Sequence, residues 1–328
     1  MKEFIEKINE QIVEAVDIAN TSNFKKYSKI SEVLICGVGG SGISGTIVAN
    51  IFKDECKVPI FVNKSYNIPK WVNKNTLTII SSYSGTTEET VSCLNQALKA
   101  NTQILCIATG GTVIEEAKDK NLDYIIIPSG YQPRAALIYS LIQIINVLSS
   151  QGFISDKTNE IKNASEILKS ESCDAVEYAR HIAKFMVGSI PIIYSDDIYE
   201  GIAIRFRQQL NENAKMIAFS STLPEMNHNE LVALFGQSSN SKNYRCIFIN
   251  TGHDHVEMRK RYDFLKITLD KRGIQWLDII TQGNTPLEKA LYTIHLADWI
   301  SYYLSIENDV DPFDVGIIGA LKDFIKRD

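Results

Sequence analysis

The sequence predicts an α/β protein made of two doubly wound parallel sheets, each the centre of a flavodoxin-like three-layer αβα unit. Three observations predict it. Short apolar, β-branched runs bounded by turn residues alternate with longer amphipathic stretches. The runs are apolar at nearly every position, as strands covered on both faces are. The alternation occurs in both halves of a 328-residue chain, a length that supports two cores.

In the first half the strand-like runs are EVLICG (32–37), VPIFV (58–62), TLTIISS (76–82), ILCIAT (104–109) and DYIIIP (123–128). Helix patterns fill 41–53, 87–100, 112–120 and 133–150 between and after them. Strand alternating with helix argues for a parallel sheet covered on both faces. The second half opens with a long helical stretch over about 160–187. Its strands are expected at 190–195, 215–220, 244–250 and 274–280, and its helices at 199–213, 228–235, 254–272, 285–307 and 314–326. Each half thus reads as a unit of about five strands. The polar stretch SSQGFISDKTNE (149–160) divides them into domains 1–152 and 153–328.

Composition excludes several classes. The net charge is −5, with no basic block, so nucleic acid is not an expected partner. No apolar run reaches the length of a membrane span, and the opening MKEFIEKINEQIVEAVDIAN mixes charges at helical spacing where a signal peptide has an apolar core. The six cysteines are scattered without a C-x-x-C pair, as expected of buried reduced thiols in a cytoplasmic protein.

The loop after the first strand reads GVGGSGISG, with Gly37, Gly39 and Gly42 spaced G-x-G-x-x-G. Such a loop brings backbone N–H groups and a helix N-terminus to an anion. A dinucleotide site also needs a carboxylate at the end of the second strand, and Asn63 and Lys64 stand there instead. Glycines serving only tight helix–strand packing are the plainer reading. A second loop, SSYSGTTEET, leads from the third strand into a helix through Ser81, Ser82, Ser84, Thr86 and Thr87. Capping accounts for one hydroxyl; a cluster suits a compact phosphate monoester. Two such loops point to a phosphosugar rather than to NAD.

These loops resemble those of sugar isomerase (SIS) domains. PRAAL (133–137), RQQLNENAK (207–215) and PEMNHNE (224–230) narrow the resemblance to the bifunctional phosphoglucose/phosphomannose isomerases, over nearly the whole chain. The resemblance implies two SIS domains, with the C-terminal helix packed back over the active site. It implies interconversion of glucose 6-phosphate, and of mannose 6-phosphate, with fructose 6-phosphate through ring opening and a cis-enediolate. Ser41, Ser82, Ser84 and Thr87 would hold the phosphate, with backbone contacts from Gly39 and Gly40. Glu212, His228, Arg134 and Lys322 match the catalytic positions.

The chemistry assigns each a role. A carboxylate, Glu212, moves the proton between C2 and C1, and a cation, Arg134, steadies the enediolate. Histidine is the side chain type suited to proton exchange near neutral pH, so His228 opens the ring with Lys322. By resemblance the protein is a homodimer, with His228 supplied across the interface. No cofactor is expected. No metal is expected either, although His253 and His255 form an H-x-H at a strand end. Two positions depart from many relatives: Thr86, where they carry Asn, and Val315, where a small hydroxyl residue helps accept either C2 epimer. The alternatives are an SIS isomerase of another sugar phosphate, a non-catalytic phosphosugar-binding regulator and an NAD-dependent dehydrogenase.

Overall fold

The computed structural model describes residues 1–236, 243–252 and 255–325. Its first half runs α1 (Lys2–Glu6), α2 (Ile8–Thr21), β1 (Glu32–Cys36), α3 (Gly39–Ile51), β2 (Ile60–Asn63), β3 (Thr76–Ser82), α4 (Glu88–Lys99), β4 (Gln103–Ala108), α5 (Gly111–Asp119), β5 (Asp123–Ile126) and α6 (Leu137–Ser150). The second half runs α7 (Thr158–Ser170), α8 (Ser172–Met186), β6 (Ile190–Ser195), α9 (Glu200–Asn213), β7 (Phe219–Thr222), α10 (Glu230–Phe235), β8 (Tyr244–Asn250), α11 (Val256–Arg272), β9 (Gln275–Ile280), α12 (Pro286–Glu307) and α13 (Gly316–Ile325).

Both sheets are parallel throughout. The first has the order β2-β1-β3-β4-β5, so the chain reverses its direction of winding between β1 and β3. The crevice beyond the carboxyl ends of those two strands is where such sheets bind ligands. β3 is buried along its whole length and β1 almost so, which explains their uninterrupted apolar sequences.

The second sheet has the order β7-β6-β8-β9, four strands where the alternation predicted about five. After β9 the chain leaves the sheet for α12, a 22-residue helix buried over most of its circumference. The helix expected over about 160–187 is two helices that meet at Glu171. The strand expected from 215 begins only at Phe219. Lys215 takes a left-handed backbone (φ +54°), and the Met216 N–H returns to the Leu210 carbonyl at 3.2 Å. These residues close α9 before a strand can start.

One continuous core includes apolar side chains of α2, α3, α6, α8, α9 and α12, and so draws on both halves. α6 and α12 are apolar nearly all round because they are enclosed by other helices and the sheets. All six cysteines are unpaired; Cys36, Cys93, Cys106 and Cys246 are buried, Cys56 is half-buried and Cys173 is exposed. Among the described residues no helix is long and apolar enough to cross a membrane.

The two halves meet closely where α3 crosses α9 at Gly201. A Cβ there would lie 2.9 Å from the backbone N and Cα of Ile47, and the Gly201 N–H donates to Asn50 Oδ1 at 3.0 Å. Backbone cannot yield as a side chain can. Gly201→Ala is therefore expected to lower unfolding free energy by about 1–3 kcal/mol through overpacking. Urea denaturation checks this, and an unchanged midpoint would show that the crossing is not tight.

Candidate active site

β1 and β3 lie side by side, with Cys36 opposite Ile80, so their following loops emerge together. After β1, Gly39 takes φ +55° and starts α3. Gly40 faces the turn at Pro133: a Cβ there would lie 2.9 Å from the Pro133 carbonyl. Close packing and anion access thus make the same demand on this loop. Ser41 is buried, and its Oγ accepts the Tyr83 N–H at 3.1 Å, which ties the first loop to the second.

In the second loop the hydroxyls converge. Ser82 Oγ donates to Thr87 Oγ1 at 3.1 Å and accepts the Gly85 N–H at 3.1 Å. Ser84 Oγ lies 3.4 Å from Thr87 Oγ1 and accepts from the N–H and Oγ1 of Thr86 at 3.3 and 3.2 Å. Gly85, at φ +70°, lies so close to the Gly110 carbonyl that no side chain fits. Thr87 precedes α4 without capping it, so the helix's opening N–H groups have no side-chain acceptor from it. Four hydroxyls at a helix N-terminus form a donor-rich anion cradle. Ser81, within β3, has a buried hydroxyl with no hydrogen-bond partner among the described residues.

Arg134 sits on the short 3₁₀ turn Pro133–Ala135. Its side chain is 4% exposed. Nε donates to Asn213 Oδ1 at 2.8 Å and Nη2 to the Pro312 carbonyl at 2.5 Å, while Nη1 lies 3.7 Å from Glu212 Oε2. Burial presses its pKa down and the Glu212 carboxylate opposes that. Glu212 is 34% exposed, so its carboxylate sits at the boundary between a buried cation and solvent. Arg134 and Glu212, far apart in sequence, are therefore one unit, and the Gly40–Pro133 approach sets that unit beside the first loop.

The structure also brings in residues that motif reading missed. Lys215 Nζ donates to the carbonyls of Glu212 (2.6 Å) and Asp311 (2.8 Å), and burial and Arg134 lower its pKa. Lys64, an exposed residue whose stem lies beside Gly42, is a cation next to the first loop, its pKa lowered by desolvation of its ammonium group. Beneath Arg134, Arg205 donates to the Arg134 carbonyl at 2.6 Å and pairs with Asp298 at 3.1 Å. Gln209 donates to the same carboxylate. Burial raises the Asp298 pKa, and Arg205 and Gln209 oppose that. Two signals were available. Arg205, Gln209 and Asn213 recur every four residues, a polar stripe on one face of α9. Asp298 is an isolated acid in the apolar stretch LADWIS.

His228 and Lys322 are not drawn to this cleft within one chain. His228 is exposed on a short turn (Glu225–His228). It lines a separate groove of about 330 Å³ with Asn227, Leu231, Lys260 and Phe264 among others. Lys322 lies on α13, which has no buried residue, and makes no hydrogen bond or ion pair among the described residues. The expected packing of the C-terminal helix over the site is thus absent from the single chain: Ile317, Leu321 and Phe324 face outward. Of the H-x-H pair, His253 lies outside the described residues, and His255 Nδ1 accepts the Glu257 N–H at the start of α11. Among the described residues no three His, Cys, Asp or Glu side chains gather as a metal site.

Fold and cleft define the class, a two-sheet sugar isomerase (SIS) protein. The solved tagatose-6-phosphate ketose/aldose isomerase from Escherichia coli has the same fold, with a TM-score of 0.72 at 15% identity, covering 93% of this chain and 92% of that one. The family model of the bacterial phospho-glucose isomerase C-terminal SIS domain matches residues 175–325. The chain is 33% identical over 304 residues to a bifunctional phosphoglucose/phosphomannose isomerase of Aquifex aeolicus, covering 92% of this chain and 93% of the relative. It is 34% identical over 331 residues to one of Caldicellulosiruptor bescii, covering 98% of each. The chain belongs to the bifunctional phosphoglucose/phosphomannose isomerase family.

The ion pair under the site carries a stability expectation. Asp298→Asn removes the counter-charge of Arg205, whose side chain is 2% exposed. Unfolding free energy is expected to fall by about 3–5 kcal/mol, because a buried cation is left uncompensated. Guanidinium-induced unfolding followed by tryptophan fluorescence tests this; a loss below about 1 kcal/mol would contradict it.

Proposed function

We propose that the chain is an aldose–ketose isomerase that interconverts glucose 6-phosphate and mannose 6-phosphate with fructose 6-phosphate. The observation that carries the proposal is the buried Arg134 guanidinium, 3.7 Å from the half-exposed Glu212 and packed through Pro133 against a serine- and glycine-lined anion loop. Family membership supports the same reaction.

In this reading the phosphate is held by Ser41, Ser82, Ser84 and Thr87 and by the backbone at Gly39 and Gly40. Hydroxyl donors and helix N-termini suit a dianion. Glu212 takes the C2 proton of the open-chain sugar and returns it at C1. The guanidinium of Arg134 lies 3.7 Å from this carboxylate, beside the reacting carbons in this reading. Arg134, whose own side chain is almost fully buried, also steadies the enediolate oxygen as charge develops there. Proton transfer of this kind requires no redox cofactor and no metal. His228 and Lys322 open the sugar ring.

His228 lines its own groove, away from Arg134, so the reading places it in the site of a partner protomer. The protein is then a cytoplasmic homodimer with shared active sites, and its domains divide at 152/153. The exposed apolar side of α13 would be covered in that assembly, which would also bring Lys322 to a site.

Two measurements test the proposal. Purified protein should form fructose 6-phosphate from both aldose phosphates. Glu212→Gln should lower kcat by about 10²- to 10⁴-fold with KM little changed, and Ser84→Ala should chiefly raise KM. Phosphosugar binding without turnover would instead favour a regulator. Sharing of sites has its own test. Inactive Glu212→Gln and His228→Ala proteins, unfolded and refolded together, should regain partial activity because mixed dimers contain one intact site. No regain would place both residues in the same protomer's site.

A further inference from the structure

The inference concerns what aims Arg134, and it rests on the reading that Arg134 and Glu212 carry the reaction. Two consecutive residues at the end of α9 flank the guanidinium: Glu212 lies near Nη1 and Asn213 binds Nε. Asn213 is fully buried, as is Ser301, while Arg205 and Gln209 are almost so.

The orientation of the Asn213 amide follows from donor chemistry. Arginine Nε–H can only donate, so it meets Asn213 Oδ1, at 2.8 Å. Asn213 Nδ2 then donates to Ser301 Oγ at 2.9 Å, and Ser301 Oγ donates to the Asp298 carbonyl at 2.8 Å. The Asp298 carboxylate accepts from Arg205 at 3.1 Å, and Arg205 Nη2 donates to the Arg134 carbonyl at 2.6 Å. The path leaves Arg134 by its side chain and returns to its main chain. It closes a ring through α9, α12 and the Pro133–Ala135 turn. The sense of each bond follows from its atoms: Arg134 Nε and Arg205 Nη2 can only donate, and Ser301 Oγ accepts from Asn213 and donates to the Asp298 carbonyl.

We infer that Asn213 is a positioning residue that fixes the direction of the Arg134 guanidinium while leaving its charge uncompensated on that edge. A neutral amide oxygen holds Nε as firmly as geometry needs. A carboxylate in its place would bind more strongly but would neutralise the cation, at the expense of Glu212 and of a developing enediolate oxygen. The same ring explains why the ion pair Arg205–Asp298 lies beneath the site: it holds the main chain of Arg134 as Asn213 holds its side chain.

The test compares Asn213→Ala and Asn213→Asp for kcat, KM and the pH profile of kcat/KM, with thermal unfolding of each. Asn213→Ala should lower kcat by about 10- to 100-fold at nearly unchanged KM, as expected for a misaimed catalytic group, with the acid limb of the profile in place. Asn213→Asp should lose a comparable factor and also move the acid limb to higher pH, because a second carboxylate beside Glu212 disfavours its ionisation. A purely structural role cannot move that limb. Where either variant fails to fold, Ser301→Ala, which removes the acceptor of Asn213 Nδ2, should lower kcat in the same direction with KM held.

Folded variants with wild-type kcat, or losses that track only the fraction unfolded, would overturn the inference. Glu212→Gln separates the two levels. Its inactivity together with unaffected Asn213 variants rejects the positioning role alone. Its full activity rejects the catalytic reading and the positioning role with it.

Discussion

A permanent positive charge with almost no solvent contact is the constraint on which the rest of this molecule depends. Arg134 cannot shed its proton at any ordinary pH, so the fold must solvate it with its own groups. It does so with the Asn213 amide oxygen, the Pro312 carbonyl and the Glu212 carboxylate, drawn from two separate stretches of chain, the end of α9 and the segment after α12. The turn that carries it is held from below by Arg205. The end of α9 and the segment after α12 must therefore both be in place before the charge is tolerable, and α12 supports them through Ser301, which Asn213 binds, and Asp298, which pairs with Arg205. This couples the second half of the chain to the loop geometry of the first.

The same coupling explains the glycines. At Gly40 the first loop touches the turn of Arg134, and at Gly201 helix α9 touches α3, the helix which that loop begins. Both contacts are backbone against side-chain-free backbone. They bring the first glycine loop and the helix that carries Glu212 within one rigid frame, which is what the proposed reaction on a small, anchored substrate would demand. The parallel order β2-β1-β3 then supplies the crevice. Neither loop alone makes a site: Ser41 reaches the second loop through the Tyr83 N–H, and the hydroxyl cluster hangs on the start of α4.

The single chain leaves two groups outside this frame. His228 is on an exposed turn of the second half, and Lys322 is on a helix with no buried face. An amphipathic helix is stabilised by burial of its apolar side, which here includes Ile317, Leu321 and Phe324. Among the described residues α13 has no buried side chain, so its apolar side is left uncovered within one chain. The contrast with α12 is instructive. That helix is apolar all round, and it is enclosed because the two halves close upon it.

The sequence by itself determined the parallel α/β class, the strands of the first sheet, and the two anion loops, because burial on both faces and turn chemistry are local properties. It also singled out Arg134 and Glu212, which the structure brings together, through motifs that a resemblance could carry. Its four strand runs in the second half match the second sheet, but it left open whether a fifth follows, since a helix that leaves the sheet and one that crosses back to it have the same periodicity. It singled out neither Asn213, Ser301, Arg205 nor Asp298 as parts of one ring. Buried polar residues on different helices acquire partners only when those helices pack, and a hydrogen bond has a direction that only three-dimensional placement decides.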